Sequence, residues 1–208
     1  MKANNILFAL PNWKQPELAH FKTNDKSSRL RTMLKAKNIN AMQQEEADAF
    51  LCELPNKNEQ FHILSNGRFD YWNLIAAALK LCNCQIRNLF LSTWTINLPI
   101  SREIVSLLER GAVKNITVWL NDYLKTREPH VWAFLAEHLK HWGGRLFSTK
   151  NHAKIAAWEC DDGRCFVLSG SANLTANPRI EQNFIAQSKE LYSFYVEEYK
   201  KIEPKQKS

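Results

Sequence analysis

Residues 150–173 read KNHAKIAAWECDDGRCFVLSGSAN. Two apolar runs, 155–158 and 165–169, flank the dipeptide Asp162-Gly163. Asp-Gly between apolar strands is a strong hairpin signal, because both residue types tolerate the left-handed backbone of a tight turn. If those two residues alone form the turn, Cys160 faces Cys165, Lys154 faces Ser171 and His152 faces Asn173. Opposed residues, and residues two apart on a strand, share a face. All four polar side chains then fall on one face near one end of the hairpin. A three-residue loop shifts that register and removes the argument. Ile155, Ala157, Phe166 and Leu168 are expected on the opposite face. Ala156, Trp158 and Val167 continue the polar face toward the turn. Both faces are apolar, which points to a central hairpin covered on both sides. A histidine and a lysine at the end of such a strand are costly if merely buried. A cleft at the strand ends explains them better.

The spacing His-x-Lys is not informative alone, since the chain holds it three times. His20-Phe21-Lys22 lies in a polar stretch. His138-Leu139-Lys140 lies on an expected helix, where residues two apart point to nearly opposite sides. Only His152-Ala153-Lys154 combines strand context with a downstream Gly170-Ser171-Ala172-Asn173.

Outward from this stretch, strands are expected at 60–65, 86–94, 114–120, 145–149, 152–159, 164–169 and 183–187. Helices are expected at 68–82, 101–110, 130–142 and 188–202. Pro99 and Ser101 mark one helix start, Pro129 opens another, and Gly111 and Gly143-Gly144 are stops. Strands alternating with helices of this length argue an α/β fold: a mostly parallel, mixed sheet flanked by helices on both faces. Residues 1–58 are polar and rich in Asn, Lys and Gln. They read as an N-terminal extension with short helices near 27–36 and 41–52, ahead of a domain at 59–208.

The chain has 208 residues, 45% hydrophobic and 24% charged, as expected of a soluble globular protein. Its formal net charge of +7 leans toward anionic partners such as nucleic acid. No apolar run approaches membrane-span length. The run NILFAL is too short for a signal-peptide core and Pro11 follows it closely, so the expected location is cytoplasmic. Five cysteines argue against a disulfide scaffold. Cys82 and Cys84 form C-x-C, but no Cys or His pair follows at zinc spacing. They read as buried thiols at a helix end.

His152-x-Lys154 followed by Gly170-Ser171-x-Asn173 resembles the signature of the phospholipase D superfamily. The resemblance covers roughly residues 60–187 and includes the order of elements. Residues 179–184, RIEQNF, resemble the acidic segment that follows the motif. One departure stands out: the family's aspartate five residues after the lysine is Glu159 here, and the hairpin is longer. The resemblance implies phosphodiester cleavage or exchange without cofactor or metal. It makes His152 the nucleophile of a covalent phosphohistidine, a role suited to neutral imidazole. Lys154 and Asn173 hold phosphoryl oxygens and Ser171 assists. Glu181 orients the imidazole, and Lys150 and Arg179 are candidate phosphate contacts.

Such chemistry needs a second histidine to protonate the leaving group. One motif per chain therefore implies a two-fold homodimer. The leading expectation is a nuclease on DNA or RNA, with no stable membrane association. Trp72, Trp94, Trp119 and Trp132 are candidates for base stacking, although most are expected in the core. A phospholipid substrate calls for an exposed amphipathic surface, and only the Lys-rich C-terminal helix suggests one. A non-catalytic nucleic-acid module on the same fold is the third reading.

Overall fold

A computed structural model describes residues 43–57, 59–175 and 179–204. The helix expected at 27–36 and the first His-x-Lys copy lie outside the described residues. Helix α1 (43–50) lies within the stretch read as helical. It buries Ala47, and Asp48 pairs with Lys80 at 2.7 Å. Strands are β1 (Gln60–Asn66), β2 (Ile86–Ser92), β3 (Val113–Asn121), β4 (Arg145–Thr149), β5 (Ile155–Cys160), β6 (Cys165–Gly170) and β7 (Ile180–Gln187). The remaining helices are α2 (Tyr71–Leu81), α3 (Leu98–Glu109), α4 (Leu124–Arg127), α5 (Pro129–His141) and α6 (Lys189–Lys201).

The strands form one mixed sheet in the order β1-β7-β6-β5-β2-β3-β4. β2, β3 and β4 are parallel neighbours. The pairs β2–β5, β5–β6, β6–β7 and β7–β1 are antiparallel. Parallel pairing is thus confined to one half, and only β5 and β7 run against the other strands. The parallel half is where helices α3 and α5 carry the chain from one strand to the next, as parallel strands require.

Helices cover both faces, as the two-sided apolar pattern demands. On one face Trp158, Phe166 and Leu168 join Leu74 and Ile75 of α2, Ile104 of α3 and Leu135 of α5. On the other, Phe90, Trp119, Ile155, Ala157 and Val167 pack against Leu191, Tyr195 and Tyr199 of α6. Trp119, Trp158 and Phe166 are at most 1% exposed. Removing such side chains from water contributes roughly 1.5–3 kcal/mol each, which anchors the central strands on both sides.

The hairpin register differs from the two-residue expectation. Ile155 faces Ser169, Ala157 faces Val167 and Glu159 faces Cys165. The loop has three residues, Asp161, Asp162 and Gly163, closed by Cys160 N donating to Arg164 O at 2.8 Å. Gly163 takes the left-handed position at φ 85°. Asp161 N donates to Gln85 O at 3.0 Å, drawing that residue out of the ladder and into the loop. Phe166 and Leu168 therefore share a face with Ala156 and Trp158, opposite to the expectation. Val167 joins Ile155 and Ala157.

Helix starts follow their caps. Asn97, rather than Ser101, caps α3: its side chain accepts from Ile100 N at 2.9 Å. Ser101 is buried inside the helix, with Oγ donating to Asn97 O at 2.8 Å. Ser188 caps α6 by accepting from Leu191 N at 3.2 Å, and Pro129 begins α5.

Candidate active site

One end of the sheet gathers the C-terminal ends of β2, β3 and β6 and the N-terminal ends of β5 and β7. This is the edge where α/β sheets place ligands. His152 and Lys154 lie in the loop that enters β5, not on the strand as expected. Asn151 holds that loop. It is 5% exposed and its Nδ2 is shared between Ser92 Oγ at 2.9 Å, Thr93 O at 3.2 Å and Trp119 O at 3.3 Å. Its Oδ1 accepts from Ala153 N and Tyr199 OH, both at 3.1 Å. Asn121 Nδ2 donates to Asn151 O at 2.7 Å. The backbone on either side of His152 is thus fixed to β2, β3 and α6, while His152 itself is exposed.

Lys154 is 7% exposed. Its Nζ lies 2.9 Å from His152 Nδ1 and donates to His152 O at 2.8 Å. Desolvation pulls its pKa below the ordinary lysine value, and the Glu181 carboxylate partly offsets this. Among the described residues no carboxylate is bonded to Lys154. A buried cation without a bonded counter-ion is unfavourable, and an incoming anion would relieve it.

The Gly-Ser-x-Asn segment forms the neighbouring wall. Gly170 pairs with Asn183 of β7, and Gly170 N donates to Lys154 O at 3.2 Å. A β-carbon on Gly170 would collide with Asn183 Oδ1 and Gln182 O, so only glycine fits this approach. Ser171 Oγ donates to the Glu181 carboxylate and accepts from Gln182 N at 3.0 Å. Ser171 thereby fastens the end of β6 to β7. Glu181 meets Ser171 and acts on Lys154 electrostatically. Among the described residues no hydrogen bond or ion pair joins it to His152. Asn173 is half-buried, and its Oδ1 has no hydrogen-bond partner among the described residues. Next to it, Leu174 bridges Ile96.

The facing argument from the two-residue turn does not survive the shifted register, since Lys154 now stands level with Gly170. The cluster is brought together instead by convergence of the strand ends. Lys150 and Arg179 are exposed beside it. Glu159 lies at the far end of β5, bonded to Arg87 at 3.1 Å and Asn88 at 2.7 Å, away from the cluster. Of the four tryptophans, Trp94 reaches the site, with its ring centroid 5.7 Å from that of His152. Trp72 and Trp119 are core. Asn151, Ser92, Asn121 and Tyr199 were not indicated by the motif. The only local signal for them is the buried polar residue directly before His152.

No protein-family model and no curated protein sequence matches the chain. Solved structures do. A polyphosphate kinase from Porphyromonas gingivalis superposes with a TM-score of 0.53 at 14% identity, over 72% of this chain and 27% of that one. A phospholipase D family member, Nuc from Salmonella typhimurium, gives 0.49 at 16% identity, over 69% of this chain and 93% of that one. Phosphatidylserine synthase from Haemophilus influenzae Rd KW20 gives 0.45 at 16%, over 69% and 37%. The chain spans about a quarter of the polyphosphate kinase it matches. At these identities the likeness concerns the fold alone, and the chain shares the α/β fold of the matched part of the polyphosphate kinase.

Proposed function

We propose that the chain is a phosphodiesterase, specifically a nuclease on DNA or RNA, acting through a covalent phosphohistidine at His152. The observation that carries this reading is the buried, carboxylate-free Lys154 beside His152 at the strand ends. An arriving phosphodiester supplies the missing anion. Lys154 exchanges His152 Nδ1 and O for phosphoryl oxygens, which also frees the imidazole. Asn173 donates its amide to the same group.

The imidazole lone pair then attacks phosphorus, and the bond from phosphorus to the leaving oxygen breaks. That oxygen takes a proton from a second histidine. Water next attacks the phosphohistidine, giving its proton to the second histidine; the P–N bond breaks and His152 is regenerated. One chain holds one such motif, so the second histidine is His152 of a second copy. Leu64 and Ile180 are 70% and 77% exposed. They share a face of the β1–β7 pair with Gln182, opposite to the face of Glu181. This exposed apolar patch supports a partner surface on the β1–β7 side of the sheet. Trp94 is placed to stack on a base of a bound strand, and the net charge of +7 suits a polyanion.

Assays on DNA, RNA and phospholipid test the substrate class. Cleavage of a nucleic acid, absent in His152→Ala, is expected. Turnover of phospholipid alone, or binding without cleavage, contradicts the reading.

A further inference from the structure

At the opposite end of β5, roughly 20 Å along the strand from Lys154, lies a second cluster. Cys82 caps α2, and Asn83 follows with a left-handed φ of 48°. That reversal turns C-x-C back toward the β5–β6 loop, to which Gln85 O is already bonded through Asp161 N. The loop brings Cys160 and Asp162. Donor atoms of Cys84, Cys160 and Asp162 all lie within 4.8 Å of one another. Arg164 of the same hairpin donates to Cys82 O at 2.8 Å, which ties the end of α2 to these groups. Two thiols and a carboxylate thus converge from two segments distant in sequence, with Cys82 two residues before Cys84 at the helix end.

We propose that Cys82, Cys84, Cys160 and Asp162 form a structural zinc site that clamps the end of α2 to the β5–β6 hairpin. Three sulfurs and one oxygen are a donor set that suits tetrahedral zinc. In such a site the donor atoms stand roughly 3.5–4 Å apart, so small side-chain rotations close the set around the ion. Cys82 and Cys160 are buried and Cys84 is half-buried, which shields the ion. Asp162 is exposed and leaves a path of entry. Surrounding groups fit as well. Trp158 Nε1 donates to Cys82 Sγ at 3.1 Å, a contact a thiolate strengthens. Arg164 donates to Asp162 at 2.7 Å and approaches Cys84 Sγ at 3.9 Å, offsetting the negative charge of the ligands. Binding releases the three thiol protons to solvent, leaving zinc bonded to three thiolates and one carboxylate. The site takes no part in phosphodiester chemistry, and this inference does not depend on that reading.

The test uses the full chain purified from zinc-supplemented cells under reducing conditions, with metal content measured by mass spectrometry. One zinc per chain is expected, retained on desalting. Cys84→Ser, at a half-buried position that tolerates the change, should lose it, as should Cys160→Ser. Cys52→Ser and His152→Ala should keep it. Cobalt(II) added to metal-free wild type should give thiolate charge-transfer and tetrahedral d–d bands, both missing in Cys84→Ser. A wild-type chain that neither carries zinc nor gives these bands overturns the proposal. So does full zinc content in Cys84→Ser, or a disulfide joining two of the three thiols in the freshly purified protein.

Discussion

Lys154 is the residue on which the local electrostatics turn. Burial disfavours its charged form, so it loses its proton at a lower pH than an ordinary lysine. In the proposed mechanism it holds phosphate only while charged, and activity should therefore fall as pH rises through that lowered value. We expect the alkaline limb of kcat/KM to lie below the usual lysine range, and Lys154→Arg, weaker overall, to move the limb upward. An unmoved limb in Lys154→Arg would assign it to another group. Asn151 makes a different prediction. Removing its amide in Asn151→Ala strips partners from buried Thr93 O and Trp119 O and loosens the loop carrying His152. A loss of about 2–3 kcal/mol in thermal or urea unfolding should accompany a lower kcat. Tyr199→Phe, which leaves Asn151 Oδ1 its bond from Ala153 N, should cost about 1 kcal/mol. His152, Lys154 and Asn173 were legible because their spacing is a motif within one hairpin. Asn151 and Tyr199 were not, because most of their bonds run to residues 30 to 107 positions away.

Among the elements, the hairpin β5–β6 shows where local signals stop. Asp162-Gly163 marks the turn in either register, yet two-residue and three-residue loops place opposite sets of side chains on a face. The three-residue loop goes with a bond from outside the hairpin, Asp161 N to Gln85 O. Helix boundaries were legible to within a few residues, and the one misplaced cap, Ser101 for Asn97, is a choice between two hydroxyl- or amide-bearing residues on the same turn. The junction of β6 and β7 carries the sharpest prediction. Gly170→Ala drives a methyl group into Asn183 and the Gln182 carbonyl. It should cost about 1–3 kcal/mol of stability, and more if the strands cannot part. It should also displace Ser171 from Glu181. Unchanged melting of Gly170→Ala would mean that the two strands are not held this closely.

For the whole molecule, alternation of helix and strand was enough to give an α/β fold with both faces covered. The strand order was not legible, because β5 inserts between β6 and β2 through pairings no local pattern encodes. Among the described residues no helix is long and apolar enough to cross a membrane. The proposed mechanism needs two copies of the chain. Ile180→Asp, on the exposed apolar patch, should lower the solution mass from dimer to monomer and reduce cleavage with it, as read by sedimentation and assay together. An active monomer would remove the need for a second His152. The most direct test of the central claim is cleavage of DNA in EDTA by wild type and His152→Ala, each shown to be folded. His152 is exposed, so its loss should leave the fold intact. Cleavage by wild type and a loss of at least ~10³-fold in the variant are expected; equal cleavage by the two proteins would contradict a nucleophilic His152.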